Sequence, residues 1–246
     1  IYITFVMGFA GAGAYMLHKA MRQDFLQQNA LYAEERRGAD LLNNMLPVHV
    51  IAKLRESRGR YAGIVVFEEA EVSIMFVDVA GFHDIVASHS PAMLVQLMDR
   101  FFSMLDALAE KHGVHKYETV GKSYVAVSGL QRDRPDHAAA LAMFGLDILR
   151  KLASLLTRDG KQVLTVKIGM HTGSVVSGIV GRKRPQFCLV GDTINTASRM
   201  VSSGVEGGIN VSPATHTHLA GKFQMVPRRV NVKSKGMMTC HLVYGV

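Results

Sequence analysis

Residues 186–200 read Gln186-Phe187-Cys188-Leu189-Val190-Gly191-Asp192-Thr193-Ile194-Asn195-Thr196-Ala197-Ser198-Arg199-Met200. A short apolar run, Gln186 to Val190, has strand character, and Gly191 breaks it. Asp192 is placed to cap a helix that runs to Val201. On that helix Asn195 and Arg199 stand four apart, so they share one face. Working outward, the same alternation recurs. Val72 to Val77 predicts a buried strand, and Pro91 to His112 carries helical apolar spacing through Leu94, Leu97, Met98, Phe101, Leu105 and Leu108. His115 to Val120 and Ser123 to Gly129 form a strand pair around Gly121-Lys122, a tight hairpin. Pro135 to Leu156 opens as a helix should, with Pro-Asp. Val163 to His171 and Ser174 to Val180 predict two more strands, and shorter ones follow near 209–211, 230–232 and 239–244. Helices interleaved with hairpins indicate an α+β sandwich, a mostly antiparallel sheet with packed helices.

The chain has 246 residues, 48% hydrophobic and 20% charged, which excludes a disordered tail. Cys188 and Cys240 are the two cysteines, too few for a disulfide scaffold or a Cys-based zinc site. The eleven histidines show no His-Glu-x-x-His spacing, and His216-Thr217-His218 reads as solvated surface. The net charge of +8 suggests a polyanionic partner. It is unevenly spread: net +3 over residues 1–60, −2 over 61–181 and +7 over 182–246. No recognition helix, finger spacing or aromatic-basic alternation accompanies it, so nucleic acid is not expected. Arg182-Lys183-Arg184 reads as an exposed hairpin tip.

Residues 1–18 are expected to be the end of a transmembrane helix. Ile1 to Leu17 carries no charge and is followed at once by His18, Lys19 and Arg22, a basic flank of the cytoplasmic kind. A signal-peptide core or a buried soluble helix are the alternatives. The chain begins at Ile1 rather than Met, as expected of a piece of a longer protein. Residues 19–60 form a helical connector. Phe25, Tyr32, Ala39 and Leu46 repeat every seven residues, with Gln28, Glu35 and Leu42 between them. That pattern fits a weak coiled coil or a solvated linker helix. Pro47 ends this helix and opens a short one over Val48 to Leu54, before a loop at Ser57-Arg58-Gly59-Arg60. Residues 61–246 are expected to make one further domain.

Three further segments carry chemistry. In Phe76-Val77-Asp78-Val79-Ala80-Gly81-Phe82 an acid ends a buried strand beside a glycine turn, where Gly81 and Phe82 offer backbone N–H groups. That suits a divalent cation on phosphate oxygens, although alone such an Asp is more often a helix cap. The others are Lys116-Tyr117-Glu118-Thr119-Val120-Gly121-Lys122-Ser123-Tyr124 and Val232-Lys233-Ser234-Lys235-Gly236.

In this order and spacing, the four segments resemble the class III nucleotide cyclase catalytic domain in its guanylyl form, from about Leu41 to Val246. Fungal rhodopsin–guanylyl cyclases and membrane receptor cyclases share the order of span, connector and cyclase. The resemblance implies two domains paired head to tail with sites at their interface. One domain contributes two metal-binding Asp residues, and the other contributes base, ribose and phosphate contacts. It makes Glu118 the acceptor for guanine N1–H and the 2-amino group and Cys188 a weak donor to O6. Asn195 would orient the ribose, Arg199 would stabilise charge on the α-phosphate, and Lys233 would hold the β- and γ-phosphates. Gly81 and Phe82 join the substrate contacts, and Asp78 is the first metal ligand. Adenylyl forms carry Lys at the position of Glu118, so the implied substrate is GTP.

One position departs from the pattern. Lys122 stands where the family has its second metal-binding Asp, which takes the summed charge of the pair from −2 to zero. Two-metal catalysis with Mg2+ or Mn2+ needs both carboxylates. The expectation is a heterodimer: a partner cyclase subunit brings the Asp pair and both ions, while this chain brings the substrate contacts. The alternative is a non-catalytic regulatory subunit. The expected setting is a membrane with the catalytic domain in the cytoplasm and a sensor domain upstream.

Overall fold

The computed structural model describes residues 2–45, 50–51, 66–130, 134–154, 164–181 and 186–245, with side chains of the first helix described over 15–39. Two compact units divide the chain, Ile1–Gly63 and Ile64–Val246. The first is dominated by one helix, α1 (Tyr2–Met45), which joins the apolar run and the connector without a break. Phe25 and Tyr32, on the predicted heptad seam, are exposed. Among the described residues no helix is long and apolar enough to cross a membrane, so the span expected over residues 1–18 is not shown. Pro47, most of the helix expected over Val48 to Leu54, and the loop at 57–60 lie outside the described residues.

The second unit contains β1 (Val66–Val79), α2 (Phe82–Ser88), α3 (Pro91–His112), β2 (His115–Val120), β3 (Ser123–Ser128), α4 (His137–Ser154) and β4 (Val166–Val180). These are followed by β5 (Gln186–Val190), α5 (Asp192–Ser202), β6 (Ile209–Val211), α6 (Pro213–Leu219), β7 (Gln224–Val232) and β8 (Gly236–Gly245). The eight strands form one sheet in the order β2-β3-β1-β4-β6-β8-β7, with β5 also on β4. Every pairing is antiparallel except β4 with β6. The predicted mostly antiparallel α+β sandwich is the observed architecture.

Strand alternation sends β1 to two cores. Met75, Val77 and Val79 face α3 and α4, where Phe101, Leu105, Leu141, Phe144 and Ile148 are buried. Val72 and Ile74 face the other way, with Val125, Val127, Val175, Leu189 and Ala197 of α5. Asp78 shares the parity of Ile74, so it emerges at the end of β1 on the α5 side of the sheet. Capping follows simple chemistry. The Ser90 hydroxyl accepts from Met93 N–H with Pro91 just inside α3, and Gly113 closes that helix in the left-handed region.

Two expectations are corrected here. The break predicted between His171 and Ser174 does not occur, because β4 runs unbroken from Val166 to Val180. Its glycines serve close approach rather than turning. A Cβ on Gly169 would lie 2.0 Å from the Val201 nitrogen, and one on Gly173 would lie 2.7 Å from Thr193 Oγ1. They let α5 sit directly on the strand. Asp192 also does not cap α5. Gly191 holds the cap position without a side-chain bond, while Thr193 Oγ1 donates to Ser174 C=O at 2.6 Å. The helix Pro213–Leu219, read as solvated surface at His216 and His218, is part of the fold, and Thr215 and Leu219 are buried in it. The Arg182–Arg184 hairpin tip lies outside the described residues.

Candidate active site

The β2–β3 hairpin sets the first part of the site. Asp78 pairs in register with Ser123, and Val79 N–H donates to Lys122 C=O at 3.3 Å. That register brings both residues after Gly121 onto the Asp78 carboxylate. Ser123 Oγ donates to Asp78 Oδ1 at 2.7 Å, and Lys122 Nζ lies 3.6 Å from Asp78 Oδ2. Asp78 is largely enclosed, with 19% of its side chain exposed. The carboxylate therefore has a hydroxyl on one oxygen and an ammonium near the other. A pair of divalent cations needs two convergent carboxylates here; the described residues present one, ion-paired with its own lysine. The residues present do not fit a two-ion centre. Beyond Asp78, Gly81 holds a left-handed conformation (φ 59°) at the start of α2 with no side-chain cap.

The second part lies on β2 and β5, which are not neighbours in the sheet. Tyr117 bridges them: Leu189 N–H donates to its hydroxyl at 3.0 Å, and its ring meets Phe187 edge-on at 6.3 Å. Burial raises the Tyr117 pKa, and the proximity of Cys188 and Glu118 raises it further. Both base-reading candidates thus flank one tyrosine. A register shift in β2 between Lys116 and Glu118 accompanies this arrangement. Glu118 is exposed and Cys188 half-buried. Tyr117 escaped the sequence reading because its partner is a backbone N–H 72 positions away.

The third part is α5 with the β7–β8 turn. Thr193, Thr196, Ala197, Met200 and Val201 bury one face of α5, which leaves Asn195 exposed and Arg199 half-buried on another. Neither side chain has a hydrogen bond or ion pair among the described residues. The turn Val232-Lys233-Ser234-Lys235-Gly236 closes with Lys235 N–H donating to Val232 C=O at 2.9 Å, and Ser234 takes a positive φ of 66°. Lys235 Nζ is ion-paired with Asp192 at the start of α5. This bond, with Thr196 Oγ1 on the same carboxylate, holds the Asp192 pKa below the usual range. Met200 of α5 packs with Val232 and Cys240 beneath the turn. Lys235 therefore docks the turn on the helix, while Lys233 beside it stays exposed and unpaired among the described residues. The lysine pair was visible in the sequence; that the second one is a clamp was not.

A family model, the adenylate and guanylate cyclase catalytic domain, matches residues 65–245. The chain belongs to this family. An adenylate cyclase of Mycobacterium tuberculosis is 37% identical over 227 residues, 92% of this chain and 50% of that protein. Guanylate cyclase soluble subunit beta-2 of Rattus norvegicus is 35% identical over 229 residues, 92% of this chain and 33% of that protein. The chain thus spans half or less of these relatives. Among solved structures, the guanylate cyclase domain of RhGC from Catenaria anguillulae in complex with GTP has a TM-score of 0.68 and 35% identity. The match covers 73% of this chain and 98% of that one. A dimeric guanylyl cyclase domain of the RhoGC fusion protein from Blastocladiella emersonii gives 0.65 at 34% identity, covering 73% and 98%. Relatives of both base specificities are similarly close, so overall likeness does not choose the nucleotide.

Proposed function

We propose that this chain is the substrate-binding half of a heterodimeric guanylyl cyclase, converting GTP to cyclic GMP and pyrophosphate. The observation that carries the reading is the split within the site. Lys122 sits on Asp78, while Glu118, Asn195, Arg199 and Lys233 have no partner among the described residues.

In the composite site Glu118 accepts hydrogen bonds from guanine N1–H and the 2-amino group. Adenine has an acceptor at N1 and no 2-amino group, so it would leave the carboxylate badly paired. Cys188, held beside Glu118 by the Tyr117 bridge, meets O6. Asn195 fixes the ribose so that its 3′-oxygen faces the α-phosphorus. Attack by the 3′-hydroxyl forms the new P–O bond as the bond to pyrophosphate breaks, its proton passes to solvent, and Arg199 stabilises the negative charge that develops. Lys233 and the Gly81–Phe82 turn take the remaining phosphate oxygens. The divalent ions, Mg2+ or Mn2+, belong to the partner's Asp pair.

Exposed valines support a second cyclase subunit as the partner. Val120 lies two residues beyond Glu118 and Val190 two beyond Cys188, on the same strand faces. Val176 and Val180 stand across from β5, and all four are exposed. Apolar surface around polar site residues suits a face that pairs. Phe25 and Tyr32 on α1 suit the same arrangement. Membrane attachment through residues 1–18, below an upstream sensor, is part of this reading and rests on the apolar run with its basic flank. Liposome flotation of the full chain tests it.

The main test is co-expression with a guanylyl cyclase subunit that carries both metal-binding Asp residues. Cyclic GMP synthesis is expected from the mixed dimer, with near-background synthesis from this chain alone. High activity from this chain alone would overturn the reading, as would an inactive mixed dimer whose Asp pair is intact.

A further inference from the structure

Near the middle of β1, seven residues before Asp78 and so roughly 20 Å from it along the strand, three potential ligands converge. Glu71, His137 and His218 each present one ligand atom, and the three atoms lie within 4.8 Å of one another. We propose that they form a transition-metal site of the zinc class, separate from the nucleotide site.

Each residue is positioned by a different element. Glu71 lies in the bulge of β1, where the register with β4 shifts between Glu69 and Val72. A bulge re-aims a side chain out of the strand's alternation, and Glu71 turns toward α6. There His218 Nε2 lies 3.0 Å from Glu71 Oε1. His137 opens α4 and is 5% exposed. Its ring stands 5.3 Å from that of His218, centroid to centroid. Gly129 makes room for it, since a Cβ there would meet His137 Cγ at 3.0 Å and Glu71 C=O at 3.2 Å.

The surroundings of His137 are those of a metal ligand. Metal-binding imidazoles commonly donate their second ring N–H to an oxygen, which fixes the tautomer. Here Ser73 Oγ lies 2.9 Å from His137 Nδ1, with both groups buried. The hydroxyl network continues from Ser73 to Thr172 at 2.7 Å and from Thr172 to Thr215 at 3.1 Å. It passes to Ser212 at 3.2 Å and ends on His171 Nδ1 at 2.6 Å. When Nδ1 of His137 donates, each hydroxyl donates onward, and the last proton falls on His171 Nδ1 as acceptor. With Nδ1 engaged by Ser73, the ligand atom proposed for His137 is Nε2.

Two imidazoles and one carboxylate suit zinc over magnesium or calcium, which prefer all-oxygen sites. Tetrahedral ligand atoms about 2.0–2.1 Å from zinc lie about 3.4 Å apart. The set closes to that spacing by small rotations of exposed Glu71 and half-buried His218 about the fixed His137. Water completes the fourth position.

Zinc and cobalt(II) titrations of the full chain, stripped with chelator, test the site. The expected result is one tight equivalent, with cobalt giving the visible absorption of a tetrahedral nitrogen–oxygen site and excess Mg2+ failing to displace it. His218→Gln and Glu71→Gln, both at accessible positions, should each weaken zinc at least tenfold and remove the zinc-dependent rise in Tm. His137→Ala would abolish binding but also break the Ser73 bond, so the two other variants decide. His216→Gln and Asp78→Asn should bind as the unmodified chain does. No tight equivalent in the unmodified chain would overturn the site, as would unchanged affinity in both His218→Gln and Glu71→Gln. An equivalent lost in Asp78→Asn would place the ion at the nucleotide site and equally overturn it.

Discussion

The two halves of the candidate active site are built from the same sheet and have opposite electrostatic fates. On the hairpin side, Asp78 accepts from Ser123 and is ion-paired with Lys122 within its own chain. On the α5 side, Asn195, Arg199 and Lys233 have no hydrogen bond or ion pair among the described residues, although the scaffold that presents them is itself bonded. Lys235 holds Asp192, and Thr193 holds Ser174. On the proposed reading, donors carried by a bonded scaffold and left open to solvent are available to a nucleotide. On the same reading, a carboxylate ion-paired with its own lysine is a poor metal ligand. The contrast is what the proposed heterodimer requires: one half of the composite centre open to substrate and the other closed by an internal ion pair.

The strongest way to break the comparison is Arg199→Ala in the mixed dimer. If the α5 side is catalytic, cyclic GMP formation should fall about 100- to 1000-fold, the usual loss when a donor to developing charge is removed. Initial rates at saturating GTP measure it. An unchanged rate would reduce the α5 side to architecture.

Lys122→Asp approaches from the other half. It removes the ammonium and restores the second carboxylate, so a dimer of this chain alone should gain about tenfold or more in Mn2+-supported activity. Adding Asp78→Asn should erase the gain. Activity that stays at background in the single variant would mean that more than Lys122 disables the hairpin side.

Base choice is the next test. Glu118→Lys combined with Cys188→Asp should shift the ratio of GTP to ATP turnover by about 10- to 100-fold toward ATP, the range for hydrogen bonds to a charged group. Tyr117→Phe should act more weakly, since it removes only the acceptor for Leu189 N–H. Stability should drop by about 1 kcal/mol, read as a lower Tm, with GTP selectivity eroded rather than inverted.

How much of this was legible depended on whether the signal was local. The boundaries of α3 follow from Ser90-Pro91 and Gly113, and the hairpin of β2 and β3 from Gly121-Lys122. Both are short-range chemistry. Glu118, Cys188, Asn195, Arg199 and Lys233 could be proposed together because the family motif carries them as a set. The break expected near Gly173 failed because the glycine answers to α5, a contact that strand propensity does not encode. Asp192 was expected as a cap and instead receives Lys235, 43 positions away. His218 looked like surface because its partner Glu71 lies in a bulge 147 positions earlier. Tertiary pairing of this kind leaves no periodic trace.

The smallest effect tests the scaffold of the α5 side itself. Lys235→Ala removes the clamp between the β7–β8 turn and Asp192 but leaves Lys233 and Arg199 in place. Both partners of the pair reach solvent, so fold stability should hardly change. The consequence should appear as a loss of about two- to fivefold in kcat/KM for GTP, the scale of an exposed pair, with KM rising more than kcat falls. Because Lys235 depresses the Asp192 pKa, the contribution of the pair is present above the ordinary carboxylate range. It is lost as pH falls through the depressed value. The variant and the unmodified chain should therefore differ in GTP affinity near neutrality and converge in strong acid, measured by a binding assay with a non-hydrolysable GTP analogue. High salt should shrink the same difference by screening. A variant with unchanged KM at low salt would show that Met200, Val232 and Cys240 suffice to hold the turn, and that Lys233 needs no clamp.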